Sequence, residues 1–178
     1  MGYVSRLWHC FTLCALCTLI SGAIMQPQPS FAQAPGVPVE PSTVEKSLET
    51  LPEDVYERLD ALEKHQLWLE SLEEKEPSNA YVQALLGLTF FQLAQTRNEL
   101  GANAIDYWAY VSDVVEPLHS EAKRHFDAAI ASPELLKAVR AWSHYYRGVL
   151  TDEYDSEATQ SDYKKACELG YTKACQTL

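Results

Sequence analysis

Hydrophobic residues recur every three or four positions along most of the chain, and this spacing predicts amphipathic α-helices. The first run covers residues 43–76, where Ser42 and Glu45 fit a capping box at a helix start. Pro52 fits the first turn of a second helix, because proline has no amide hydrogen to lose there. We predict a capping helical pair or a degenerate repeat over this region. Its apolar positions are Val55, Leu59, Leu62, Leu69 and Leu72.

Residues 77–132 combine a proline, a Leu-Gly pair and an aromatic residue at fixed offsets. Pro77 precedes a predicted helix that carries Leu86, Gly87 and Phe90. The glycine lets a partner helix approach closely, and the aromatic side chain fills the space beside it. The pattern therefore predicts an antiparallel helix pair. The partner helix carries Ala122, Phe126 and Ala129.

A long segment separates these two helices, and its pattern is still helical. Gly101 and Asn103 predict a turn with a capping asparagine, and apolar residues continue beyond it at helical spacing, starting with Ile105. We expect Trp108 to face the core. We expect Pro117 to kink the second helix, because it has no amide hydrogen to donate. Both helices of this pair should be overlong.

Residues 133–178 repeat the arrangement in a shorter form. An aromatic run that includes the core candidate Trp142 leads to Gly148 on the first helix, and Ala166 lies near the end of the second. Gly170 predicts a helix stop. A short last helix follows, so Cys167 and Cys175 lie on either side of this stop.

These motifs together resemble the Sel1-like repeat, a relative of the tetratricopeptide repeat, and are similar to its cysteine-rich secreted members. The resemblance implies an all-α fold, a short α-solenoid of antiparallel helix pairs with about six to seven helices. It also implies a disulfide between Cys167 and Cys175, although two free buried thiols stay an alternative, and a role as a protein-protein interaction module. The residues that carry the resemblance are Pro77, Leu86, Gly87, Phe90, Ala122, Phe126, Ala129, Gly148, Ala166 and Gly170.

The N-terminal region predicts export. Arg6 precedes an apolar stretch from Leu7 to Met25, and small residues follow, with cleavage expected after Ala32. We assign residues 1–32 to a signal peptide. An uncleaved membrane anchor is the alternative, since the stretch is close to the length that spans a bilayer. Residues 33–42 are rich in proline and predict a disordered spacer. The expected location is the periplasm or the exterior.

Charge narrows the range of partners. The chain carries 14 Lys and Arg against 25 Asp and Glu, a formal net charge of −11 at pH 7. Such a balance disfavours nucleic acid and anionic membranes. It favours solubility or a protein or peptide partner with basic residues, and a solvated helical surface is the simpler explanation.

Candidate chemistry does not rise above chance. Glu121 and His125 share a helical face, but His119 points elsewhere, so we expect no metal site and no cofactor. Ser120 with Lys123, and Ser161 with Lys164, match S-x-x-K without the motifs that accompany it in β-lactam enzymes. We expect no catalytic residue. An enzyme acting on cell-wall or β-lactam substrates, or a secreted effector that binds host proteins, are the alternatives.

Three tyrosines form the predicted binding face. Tyr107, Tyr110 and Tyr145 lie on helices that could line the concave surface of a solenoid. Tyrosine gives a large contact area at low entropic cost. Plain packing of these rings is the alternative.

Overall fold

The computed structural model describes residues 48, 50–151 and 156–178. The predicted signal peptide, spacer and capping box therefore lie outside the described residues. The described part is helical, without a β-strand, so the predicted all-α class is confirmed. A π-helical turn, Val111–Val115, joins two of the segments without a break, which makes six helices between Val55 and Thr177. The segments are α1 (Val55–Glu73), α2 (Ala80–Gly101), α3 (Tyr107–Tyr110), α4 (Glu116–Ala131), α5 (Lys137–Thr151), α6 (Ser156–Glu168) and α7 (Thr172–Thr177).

Acidic and amide side chains start the first three segments. The Asp54 carboxylate accepts hydrogen bonds from the first amides of α1, and Asn79 does the same for α2. Pro52 therefore precedes α1 and does not form its first turn, which corrects our prediction. Asn103 is not the cap of α3 either. Asp106 has that role, and accepts a hydrogen bond from the amide of Ala109 at 3.1 Å.

The irregularity expected at Pro117 lies just before it. Pro117 occupies the first turn of α4, and the π turn precedes it. A proline at this position has no amide hydrogen for the carbonyl four residues earlier, and its ring crowds that carbonyl. The wider π turn relieves this clash. The π turn also shifts the helical register. Trp108, expected in the core, is 78% exposed, and Ile105 is fully exposed.

Each helix runs antiparallel to its neighbour in the chain. Polar contacts between α1 and α2 show this direction, since Arg58 near the start of α1 meets Thr96 near the end of α2. Helix α4 packs on α2, α5 packs on α4, and α6 packs on α5. None of the described helices combines the length and the apolar character that crossing a bilayer requires.

Three glycines lie at close helix approaches, and a Cβ atom added at Gly101 would come nearest to its neighbour, Tyr110 Cε1. A Cβ atom added at Gly87 would lie 2.7 Å from Phe126 Cδ1, and one added at Gly148 would lie 2.8 Å from Tyr163 Cε1. An ordinary side chain cannot fit at such distances, so each of these two glycines admits an aromatic ring from the opposite helix. Phe126 is fully buried, and the expected core residue Trp142 is 1% exposed. The core is continuous from α1 to α5.

A glycine stop and a disulfide hold the last helix. Gly170 has φ of 103°, a left-handed conformation that glycine adopts without strain. The amides of Gly170 and Tyr171 donate back to the carbonyls of Cys167 and Ala166, which closes α6 in a Schellman motif. Cys167 and Cys175 form a disulfide, with Cα atoms 4.9 Å apart. The predicted pairing is confirmed, and α7 is tethered to α6.

Candidate functional site

An open groove of about 780 Å³ lies among the described residues. Three helices build it: α4 forms one wall, α6 the other, and the C-terminal end of α5 the floor. The wall on α4 includes the first turns after Pro117, which belong to the overlong part of this helix. We call this the α4–α6 groove. Its lining residues are Glu116, His119, Ser120, Lys123, Asp127, Arg147, Leu150, Thr151, Ala158, Ser161 and Asp162.

One arginine ties the three helices together at the floor. Arg147 on α5 donates to Asp162 on α6 through Nε and Nη2, at 2.7 and 2.6 Å. Its Nη1 donates to Asp127 on α4, also at 2.7 Å. Such a two-pronged pairing between guanidinium and carboxylate fixes orientation as well as charge. The groove is therefore preformed.

A buried histidine completes this cluster. His144 Nδ1 donates to Asp162 Oδ1 at 2.8 Å. Burial alone would raise the pKa of Asp162, but the hydrogen bonds from His144 and Arg147 outweigh it and hold that pKa below its usual value. The hydrogen bond to Asp162 also raises the pKa of Arg147. Both groups stay charged at neutral pH.

The serines and lysines of the two S-x-x-K matches do not pair with one another in the described contacts. The Ser120 hydroxyl donates to the backbone carbonyl of Glu116 at 3.0 Å. Lys123 Nζ instead contacts Asp127 Oδ2, at 3.0 Å. A serine nucleophile needs a base within hydrogen-bond reach. Ser161 lines the groove, and Lys164 is exposed outside its lining.

Only two of the three candidate metal ligands stay close together, since Glu121 Oε2 lies 3.9 Å from His125 Nε2. His119 lines the groove, whereas His125 is buried between α4 and α2 and bonds to Gln83 Oε1 at 2.7 Å. Glu121 forms an ion pair with Arg124 at the surface. Within the described residues, no three His, Cys, Asp or Glu side chains are placed to hold a metal ion.

The bond between His125 and Gln83 has a counterpart in the next helix pair. Gln83 lies four residues before Gly87, and His125 lies one residue before Phe126. In the next pair, His144 lies four residues before Gly148, and Asp162 lies one residue before Tyr163. Burial and the Arg124 guanidinium lower the pKa of His125. Sequence reasoning missed both polar pairs, although the equal offsets from glycine and aromatic residue were visible. The four partners are Gln83, His125, His144 and Asp162.

The three candidate tyrosines lie outside the groove and contact two separate parts of the fold. The Tyr107 hydroxyl donates to Asn98 Oδ1 at 2.8 Å, and the Tyr110 hydroxyl donates to the carbonyl of Arg97 at 2.9 Å. Both therefore hold α3 on the end of α2. Tyr145 contacts the rings of Tyr163 and Tyr171 near the C-terminus.

Comparisons of the chain with protein-family models, with curated proteins and with solved structures find no match. The resemblance to Sel1-like repeats therefore stays a prediction. What the described residues show is a helical protein of antiparallel pairs with a groove whose floor is held by ion pairs.

Proposed function

We propose that the chain is an exported helical scaffold or adaptor that holds a segment of a partner protein in the α4–α6 groove. The observation that carries this proposal is the floor of the groove, where Arg147 joins Asp127 and Asp162. A groove that is rigid before binding avoids the cost of ordering its own side chains. Its volume lies in the range of sites that enclose much of a small ligand or several side chains.

The polar groups of the groove favour recognition over catalysis. Ser120 donates to the backbone of its own helix and Lys123 contacts Asp127, so these groups are engaged within the protein. Fixed charges and hydroxyls at a concave surface provide specificity for a partner. The tyrosine face at Tyr107, Tyr110 and Tyr145 is the alternative surface, and its hydroxyl bonds to α2 support a packing role for two of its members.

Export is part of the proposal. The apolar N-terminal stretch favours it, and so does the disulfide, because disulfides persist in oxidising compartments. Cell fractionation followed by intact-mass measurement tests this point. We expect a cleaved chain outside the cytoplasm, with Cys167 and Cys175 protected from alkylation until they are reduced. An uncleaved chain with two alkylated thiols in the cytoplasm would contradict it.

A matched pair of variants tests the groove. Ser161 and Gln160 are adjacent and exposed on α6, but only Ser161 lines the groove. Ser161→Trp should fill the groove, and Gln160→Trp should leave it open with the same added surface. The two variants and the wild type serve as baits in affinity capture from periplasmic extract, after a check that their thermal unfolding is native-like.

We expect a partner that the wild type and Gln160→Trp capture and that Ser161→Trp loses. If both variants retain the partner, it binds elsewhere and the groove proposal is wrong. If the partner is retained by both but lost on disruption of the tyrosine face, the alternative surface is correct.

A further inference from the structure

The charges that line the α4–α6 groove are not all used in holding it together. Asp127 and Asp162 are engaged by Arg147, and Lys123 also contacts Asp127. Glu116, by contrast, is exposed, and its carboxylate has no hydrogen bond or ion pair with any described residue. The groove therefore offers one uncommitted negative charge and no uncommitted positive one among its Lys and Arg side chains.

Apolar side chains lie in the same groove. Leu150 and Ala158 line it together with Glu116. Lysine and arginine side chains pack their alkyl stems on apolar surface while their charged heads stay in polar surroundings. A groove with an apolar part and one available carboxylate fits this kind of side chain.

We propose that the α4–α6 groove takes a Lys or Arg side chain from an extended segment of the partner protein, with Glu116 as the acceptor of its charge. This inference rests on the proposed function and specifies the chemistry of the partner. The formal net charge of −11 supports it, because a negative surface raises the rate at which basic segments arrive.

An acidic segment fits the groove less well. The ammonium of Lys123 and the guanidinium of Arg147 already contact carboxylates of the protein. An incoming carboxylate would have to displace Asp127 or Asp162 and would face Glu116, and like charges brought together in an interface oppose binding.

The test selects peptides with the purified exported protein from a phage-displayed library of random sequences. Wild type is compared with Glu116→Lys and with Glu134→Lys, a control that makes the same change of charge. Glu134 is exposed, lies before α5 and does not line the groove. We expect peptides enriched in Lys and Arg from wild type and from Glu134→Lys, and loss of that enrichment with Glu116→Lys.

A second measurement uses the strongest wild-type peptide with a fluorescent label. Glu116→Gln should weaken its binding roughly two- to five-fold, as expected for one ion pair at a partly exposed site. The difference between wild type and Glu116→Gln should shrink as salt is added. Glu134→Gln should bind the peptide as the wild type does.

Ser161→Trp separates failure of this inference from failure of the proposed function. If Ser161→Trp abolishes selection but the wild-type peptides show no excess of Lys or Arg, groove binding stands and the role of Glu116 is wrong. The same holds if Glu116→Lys still selects basic peptides. If no peptide is selected, or if Ser161→Trp selects the same peptides as wild type, the groove is not a binding site and both proposals fail.

Discussion

The helix pairs α2/α4 and α5/α6 solve the same packing problem in the same way. In each, a glycine on the first helix receives an aromatic ring from the second: Gly87 receives Phe126, and Gly148 receives Tyr163. The rings differ in surroundings, since Phe126 is fully buried and Tyr163 is 7% exposed. The first pair lies at the centre of the core, and the second lies nearer the surface.

The polar pairs beside these rings differ more. Gln83 and His125 form a neutral pair that is buried between helices. In the α5/α6 pair, His144 bonds directly to Asp162, and Arg147 forms an ion pair with the same carboxylate. This charged cluster opens onto the groove. The polar pair beside the aromatic ring therefore lies in the core in the α2/α4 pair and next to the groove in the α5/α6 pair.

Removing the two aromatic rings should show which pair is central. Phe126→Ala should lower the free energy of unfolding by about 3–5 kcal/mol, because a fully buried ring leaves a cavity that its neighbours cannot fill. Tyr163→Ala should cost less, since Tyr163 is 7% exposed and is not part of the continuous core around Phe126. Chemical denaturation with the disulfide intact measures both. A larger loss for Tyr163→Ala would reverse the order of the two pairs.

Helical spacing was enough to predict much of the core. Leu62, Leu69 and Trp142 are buried as their spacing indicates, and the glycine at position 87 meets the aromatic residue expected on its partner helix. These features follow from contacts repeated every three or four residues. Their signal is local in sequence or depends on a residue type, glycine, that has few other uses inside a helix.

The same reasoning failed where the helix leaves its regular period. The π turn before Pro117 inserts extra backbone, so the spacing that placed Trp108 in the core does not apply. The groove could not be predicted either. Its lining positions lie on three helices and range from the exposed Glu116 to the buried Asp162. Its floor depends on ion pairs from Arg147 to Asp127 and Asp162 that hydrophobic spacing does not encode.

Breaking the disulfide should affect only the α5/α6 side of the comparison. The bridge closes a short loop, with a sequence separation of 8, which corresponds to about 2.5 kcal/mol in the chain-entropy model. The Cys167→Ser, Cys175→Ser double variant should expose α7 to hydrogen exchange and leave α2 and α4 protected. Equal loosening of α2 would show that the two pairs unfold as one unit.

Mild acid should weaken the part of the fold around α2 and α4 before it weakens the α5/α6 pair. Burial lowers the pKa of His65 to about 4, and burial with Arg124 lowers the pKa of His125. In the unfolded chain these histidines bind a proton near pH 6.5, whereas in the folded chain they stay neutral to lower pH. The stability that the neutral histidines provide is therefore lost as the pH falls from 6.5 toward their folded pKa values. The pKa of Asp162 is depressed, so its contribution persists until the pH falls below about 4.

The expected loss from His65 is on the order of 1–2 kcal/mol at pH 5 relative to pH 7.5. Denaturant midpoints measured between these two values check it. The His65→Gln, His125→Gln double variant should show a flatter dependence, once its fold at pH 7 is confirmed. A dependence as steep as that of the wild type would assign the effect to other groups.

The smallest expected effect separates packing tyrosines from binding ones. Tyr110→Phe removes a hydroxyl that donates to the carbonyl of Arg97, and should cost about 1 kcal/mol of stability. Tyr145→Phe should cost almost nothing, because its hydroxyl has no hydrogen bond to any described residue. Both variants keep their rings, so both should capture the partner that the groove binds. If Tyr145→Phe unfolds like the wild type yet loses the partner, its hydroxyl contacts that partner, and the binding surface extends beyond the groove to the aromatic side of the α5/α6 pair.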